Sequence, residues 1–159
     1  MIFDQIKNLL SENNISFEQK EHEITLTSED SARIRGDELS SGAKAILYKV
    51  QDSFYLFVFA ADKKMDTKKI KQYFKEQNLK AKKTRFASHE ELLEMTGLVP
   101  GSVPPFGRPI LDFDLFVDPS LTANENIAFN AGSLTNSISM KLEDYIKVAK
   151  PQIFNFTQE

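Results

Sequence analysis

Two β-rich runs, residues 43–50 and 54–60, are separated only by Gln51-Asp52-Ser53, and this pair constrains the chain more than any other feature. A three-residue polar break is just long enough to reverse an extended chain, so the two runs read as a β-hairpin. The second run, Phe54-Tyr55-Leu56-Phe57-Val58-Phe59-Ala60, is apolar on both faces, which predicts a central strand covered on both sides. A strand of that kind needs a core on each side of the sheet. The 13 phenylalanines and a hydrophobic share of 41% in 159 residues can supply it, within one domain spanning residues 1–159.

The rest of the pattern adds helices around the hairpin. Ile2, Phe3, Ile6, Leu9 and Leu10 recur at helical spacing over residues 2 to 12. Ile15 and Phe17 suggest a short strand, and Thr27 with Asp30 predicts a short helix through Ile34, ended by Gly36. Asp66 can cap a helix that turns Ile70, Tyr73 and Phe74 inward and its lysines outward. Ser88 with Glu91 forms a capping box, Leu92 and Leu93 are expected to pack, and Gly97 stops that helix. A turn-rich stretch at 100–109 follows, then strands at 111–117, 127–130 and 137–140, and a last helix at 142–149 stopped by Pro151. A hairpin with scattered helices, rather than regular βαβ alternation, predicts an α+β fold: a mixed, largely antiparallel sheet or partial barrel flanked by helices.

Composition removes several kinds of chemistry. With no cysteine there is no disulfide, thiolate nucleophile or cysteine-bound metal. The two histidines, His22 and His89, lack partners at ligand spacing, so no metal site and no cofactor are expected. His89 reads as a surface residue, and His22 lies beside a strand among Glu21 and Glu23. The sequence has no Gly-x-Ser-x-Gly elbow, phosphate-binding loop or dinucleotide fingerprint. Asp112 and Asp114 read as two carboxylates on one solvated strand face. The first residues lack a basic start followed by a long apolar stretch, and the apolar run at 54–61 is too short for a bilayer, which points to a cytoplasmic protein without a membrane partner.

Charge is unevenly spread. Residues 63–85 hold ten basic side chains against two acids, +8 in a chain whose formal charge is −3. Lys63, Lys64, Lys68, Lys71 and Lys75 form a stripe that could follow a phosphate backbone, or simply a solvated helix face. Lys44 opens the first hairpin strand on the face of Ile46, Tyr48 and Val50; its spacing allows either a cavity or an escape to solvent at the sheet's end. The loop at 97–107 carries three prolines and three glycines, a stiff segment with bare backbone amides suited to holding a ligand or to connecting a helix to a strand. Phe129-Asn130-Ala131-Gly132-Ser133 is a second small-residue turn of the same kind.

These pieces occur in a characteristic order: Gly42-Ala43-Lys44, Phe86-Ala87-Ser88, Thr96-Gly97-Leu98, Val103-Pro104-Pro105-Phe106-Gly107, Val117-Asp118 and Phe129-Asn130-Ala131-Gly132-Ser133. Over residues 15–149 the chain resembles the YbaK/prolyl-tRNA synthetase-associated editing domains. The resemblance implies that family's fold and a free-standing deacylase that hydrolyses the ester of mischarged tRNA. It maps the family's important lysine onto Lys44 and thereby favours a pocket lysine. The family's Gly-x-x-x-Pro loop falls on 101–105, so Gly101, Ser102, Pro104, Pro105, Phe106 and Gly107 become candidates for substrate binding. Its late glycine turn falls on Ala131, Gly132 and Ser133, with Asn130 beside it and Ser137 a further candidate for the pocket wall. The implied partner is the aminoacylated 3′ end of tRNA, with a synthetase as a second.

An aminoacyl ester is already activated, so its hydrolysis needs positioning and oxyanion stabilisation more than a protein nucleophile. The expected arrangement has backbone amides near Gly101 and Gly132 holding the ester and terminal adenosine, with Lys44 supplying positive charge and a ribose hydroxyl orienting water. Alanyl-tRNA(Pro) is the first expectation for the substrate, with cysteinyl-, seryl- and threonyl-tRNA as competitors. A non-catalytic tRNA-binding or regulatory module on the same fold, and a small-molecule binder using the same pocket, are the alternatives.

Overall fold

Gln51, in the left-handed region at φ 58°, reverses the chain between β2 (Ala43–Val50) and β3 (Ser53–Ala60), which pair antiparallel from Ala43↔Ala60 to Val50↔Ser53. The computed structural model describes residues 1–24 and 39–159, so the helix expected from Thr27 to Ile34 lies outside the described residues. The hairpin is the middle of a five-stranded sheet ordered β4-β2-β3-β5-β8, with β4 at Thr84–Phe86, β5 at Leu115–Val117 and β8 at Gln152–Ile153. β3 is central, as its two apolar faces require. β5 runs parallel to β3, and β8 parallel to β5, which makes this sheet mixed. A second, antiparallel sheet is ordered β1-β7-β6, from Phe17–Glu21, Asn136–Lys141 and Asn126–Asn130. A parallel bridge between Gly42 and Ala128 joins the two sheets, which do not close into a barrel.

Each face of the central sheet has its own core. Ala43, Ala45, Leu47, Leu56 and Val58 face a cluster that continues through Ile127, Phe129, Ile138 and Met140 of the second sheet and is covered by α1 (Ile2–Glu12) through Ile6 and Leu10. Tyr48, Val50, Phe57 and Phe59 face an aromatic cluster covered by α2 (Thr67–Glu76), which buries Ile70 and Phe74 and adds Phe116 and Phe156. Phe57 stacks on Phe116 with ring centres 5.2 Å apart and meets Phe156 edge-on at 5.0 Å. A fully buried side chain of this size contributes about 1.5–3 kcal/mol, so the phenylalanine-rich strand anchors both layers.

The helix ends follow local chemistry. The Asp66 carboxylate accepts the Lys68 N–H at 3.0 Å to start α2. The expected capping box starts α3 (His89–Thr96), and Gly97 ends it at φ 76°. Leu92 is buried there, but Leu93 is 55% exposed. In α3 only one of two consecutive residues can face the sheet. Asp118 caps the short α4 (Pro119–Thr122), and α5 spans Leu142–Ala149. Asp118 is fully buried and receives hydrogen bonds from the Ser120 and Phe156 N–H groups, Asn155 and Thr157, which fastens the C-terminal residues beside β5.

The strand expected at 111–117 is paired only over Leu115–Val117. The Ile110 and Leu111 N–H groups donate to the Gly107 carbonyl at 2.9 and 3.0 Å and so form a turn, across which Arg108 holds Asp112 at 2.8 Å and Asp114 at 2.6 Å. The two carboxylates are thus salt-bridge partners in a turn and not neighbours on a strand face.

Candidate active site

The loop after Gly97 is held almost entirely by its own buried residues. The Ser102 hydroxyl donates to the Val99 carbonyl at 2.7 Å and accepts the Val99 N–H at 3.2 Å. Pro104 and Pro105 are buried, and the Pro105 carbonyl accepts the Tyr145 hydroxyl at 2.6 Å. Burial pushes that hydroxyl far above the ordinary tyrosine value, so it remains a donor. Phe106 meets Phe129 and Tyr145 edge-on. At Gly107 a Cβ would sit 2.7 Å from the Phe113 carbonyl oxygen, so only glycine fits. The side chains of Ser102, Pro104, Pro105 and Phe106 therefore face the interior and support the loop.

Gly101 is the exposed member of this group. Its φ of 87° turns the peptide outward, and a Cβ there would meet nothing closer than Leu134 Cδ2 at 3.4 Å. Among the described residues its N–H donates to no partner. The second loop is differently engaged. Ala131 N–H donates to Asn136 at 3.0 Å, and Gly132 N–H donates to the Ser102 carbonyl at 2.9 Å, which clips the two loops together. Of the two amides expected to approach a substrate, at Gly101 and Gly132, only that of Gly101 is open. Ser133 Oγ accepts the Thr135 N–H at 3.0 Å.

Asn130 connects the loops through its side chain. Its Nδ2 donates to the Gly101 carbonyl at 2.7 Å, and its Oδ1 accepts the Ser137 hydroxyl at 3.0 Å. Ser137 is 1% exposed, and its Oγ also lies 2.7 Å from His22 Nε2. The structure thus gathers Gly101, Asn130 and Ser137, three of the expected site residues. It adds His22, which the sequence offered only as an isolated histidine, 115 positions from its partner.

Lys44 lies two residues beyond Gly42, whose bridge to Ala128 is where the two sheets meet. Lys44 is exposed, with no hydrogen bond or ion pair among the described residues.

Beside β2, a cavity of about 210 Å³ lined by Ala45, Ile46 and Leu47 runs past Phe86, His89 and Val103 to Gly101. Phe86 is 60% exposed at its mouth. Arg85 beside it grips Glu91 through two hydrogen bonds, of 2.6 and 3.0 Å, and the guanidinium holds that carboxyl down at about 2. α2 lies on the same face of the sheet as Lys44, with Lys68, Lys71 and Lys75 exposed; Lys63 and Lys64 precede it, also exposed. No group of three or more His, Asp or Glu among the described residues could hold a metal ion, and none of their helices is long and apolar enough to cross a membrane.

Comparison with known proteins matches this arrangement to a family. Residues 22–148 match the family model described as "Aminoacyl-tRNA editing domain". The chain is 35% identical over 154 residues to the Multifunctional Ser/Thr-tRNA deacylase ProXp-y of Escherichia coli strain K12, covering 93% of this chain and 88% of that protein. It is 34% identical over 115 residues to the uncharacterized protein YwhH of Bacillus subtilis strain 168, covering 72% of this chain and 69% of that one. Among solved structures, a candidate trans-editing enzyme for prolyl tRNA synthetase superposes with a TM-score of 0.81 at 18% identity, covering 99% of this chain and 97% of the other, and so shares the fold. With its sequence matched over most of its length and the fold in agreement, this chain belongs to the aminoacyl-tRNA editing domain family.

Proposed function

We propose that this protein is a free-standing deacylase that hydrolyses the ester joining serine or threonine to a mischarged tRNA. The observation that carries the reading is the open Gly101 N–H, fixed at positive φ beside Asn130. The name of the Escherichia coli relative favours serine and threonine over alanine and cysteine. Editing exists because an apolar pocket separates side chains one methylene apart by only about 1–3 kcal/mol, so a second site must remove the errors.

In this mechanism the ester carbonyl oxygen lies against the Gly101 N–H, where a preorganised donor is worth about 2.7–4 kcal/mol as the tetrahedral oxyanion forms. Lys44 adds positive charge to that oxygen or to the neighbouring phosphate. A ribose hydroxyl of the substrate orients the attacking water, so the protein supplies position and charge and no nucleophile of its own. The terminal adenine lies over Phe86 at the cavity mouth, since an exposed ring provides a stacking surface for any base. Lys63, Lys64, Lys68, Lys71 and Lys75 follow the phosphates of the acceptor stem.

The test is a deacylation screen with tRNAs charged with serine, threonine, alanine or cysteine. Release of serine or threonine well above the uncatalysed rate is expected. Wild-type protein that released none of the four would sink the reading, and preference for alanine would overturn the choice of substrate.

A further inference from the structure

The row that ends on Gly101 begins at His22, and its hydrogen bonds run in one direction. Asn130 gives its Nδ2 to the Gly101 carbonyl, so it faces Ser137 with Oδ1, which can only accept. The Ser137 hydroxyl has a single hydrogen, and that bond to Asn130 uses it. Ser137 Oγ must then accept from His22 Nε2, 2.7 Å away. His22 Nδ1 lies 2.8 Å from the Glu23 carbonyl, which also only accepts. His22 Nε2–H is thus the donor that orders Ser137, while the second ring nitrogen ties the imidazole to its own backbone segment. Turning the Asn130 amide over would set Oδ1 against the Gly101 carbonyl oxygen at 2.7 Å, two acceptors with no hydrogen between them.

We propose that His22 is a positioning residue for deacylation: it orients Ser137 and Asn130, and through them holds the Gly101 carbonyl and with it the loop whose Gly101 N–H meets the ester. The proposal rests on the deacylase reading. His22 reaches no reacting atom; it acts along the row, whose far end sets the rotation about the Gly101 Cα. The His22 N–H also donates to the Thr135 carbonyl at 2.8 Å, just before β7, so backbone and ring are both tied to the Thr135–Ser137 segment.

The experiment compares wild type, His22→Ala and His22→Gln on seryl- and threonyl-tRNA, with amide NMR spectra of each protein. A misplacement on the scale of an ångström costs on the order of 100-fold, so His22→Ala is expected to lower kcat by roughly 10- to 100-fold with KM little changed. The glutamine amide can donate to Ser137, so His22→Gln recovers most of kcat. The Gly101 amide resonance shifts in His22→Ala and returns towards its wild-type position in His22→Gln. An unchanged kcat in His22→Ala, a glutamine variant as impaired as the alanine one, or a Gly101 resonance indifferent to position 22 would overturn the proposal. If wild type deacylates no tRNA, the functional reading fails by itself, and the NMR arm still decides whether His22 holds Gly101.

Discussion

Lys44 can be removed without disturbing the fold, which makes its replacement a direct test of the chemistry. It is exposed at the start of β2 with no partner among the described residues, and the neighbouring positions Ala43 and Ala45 carry the packing. Surface changes of this kind usually move stability by no more than about 0.5 kcal/mol. Lys44→Met keeps the aliphatic stem and removes only the charge. If that charge acts on the developing oxyanion, its loss should cost about as much as one oxyanion donor, 2.7–4 kcal/mol, or a fall in kcat of about 10²–10³. Single-turnover deacylation of seryl-tRNA separates this step from product release, and thermal denaturation checks the fold. Binding of uncharged tRNA should change by no more than one phosphate contact, about 0.7–0.9 in the slope of log K against log salt. A Lys44→Met protein with an unchanged melting temperature and a single-turnover rate within about threefold of wild type would refute the role, since threefold is only about 0.65 kcal/mol.

Three further outcomes follow from the geometry. Gly132→Ala should destabilise more than Gly101→Ala in urea denaturation: both positions have positive φ, at about 1–2 kcal/mol, but the Cβ at 132 would lie 2.8 Å from Ile2 Cγ2 and that at 101 no closer than 3.4 Å to Leu134. Equal midpoints would contradict this. Asp118→Ala leaves the Phe156 N–H and Thr157 without their buried acceptor and should cost about 3 kcal/mol, a drop in Tm of roughly 6–12 °C. Burial pushes the Asp118 carboxyl up, but the hydrogen bonds from Ser120, Phe156 and Thr157 outweigh it and hold the carboxyl below its ordinary value of 3.8. Its stabilisation is therefore present above that value and lost as pH falls through the lower folded-state value, a loss that Asp118→Ala should not show in acid titrations. Replacing Lys68, Lys71 and Lys75 by glutamine should lower the salt slope of tRNA binding by about 0.7–0.9 for each phosphate contact removed, with kcat at saturating tRNA unchanged; an unaltered slope would assign the stripe to solvent.

The parts legible in the sequence are those decided within a few residues. The hairpin at Gln51, the Asp66 cap, the Ser88–Glu91 box and the Gly97 stop each depend on neighbours along the chain, and each occurs where the pattern places it. The central position of β3 was also legible, because a strand apolar on both faces has nowhere else to go. Tertiary structure decided what depends on distant contacts. Backbone bonds to the Gly107 and Leu111 carbonyls hold residues 110–113 in a turn instead of a strand, and packing against the sheet chose Leu92 over Leu93. The face of Lys44 was legible from strand alternation, but whether it enters a cavity or leaves for solvent was not, and its side chain is exposed. His22 became part of the row only because β1 and β7, far apart in sequence, lie side by side. Local caps and turns are fixed by short-range hydrogen bonds, whereas the site is built where distant strands meet, and no spacing in a single sequence measures that distance.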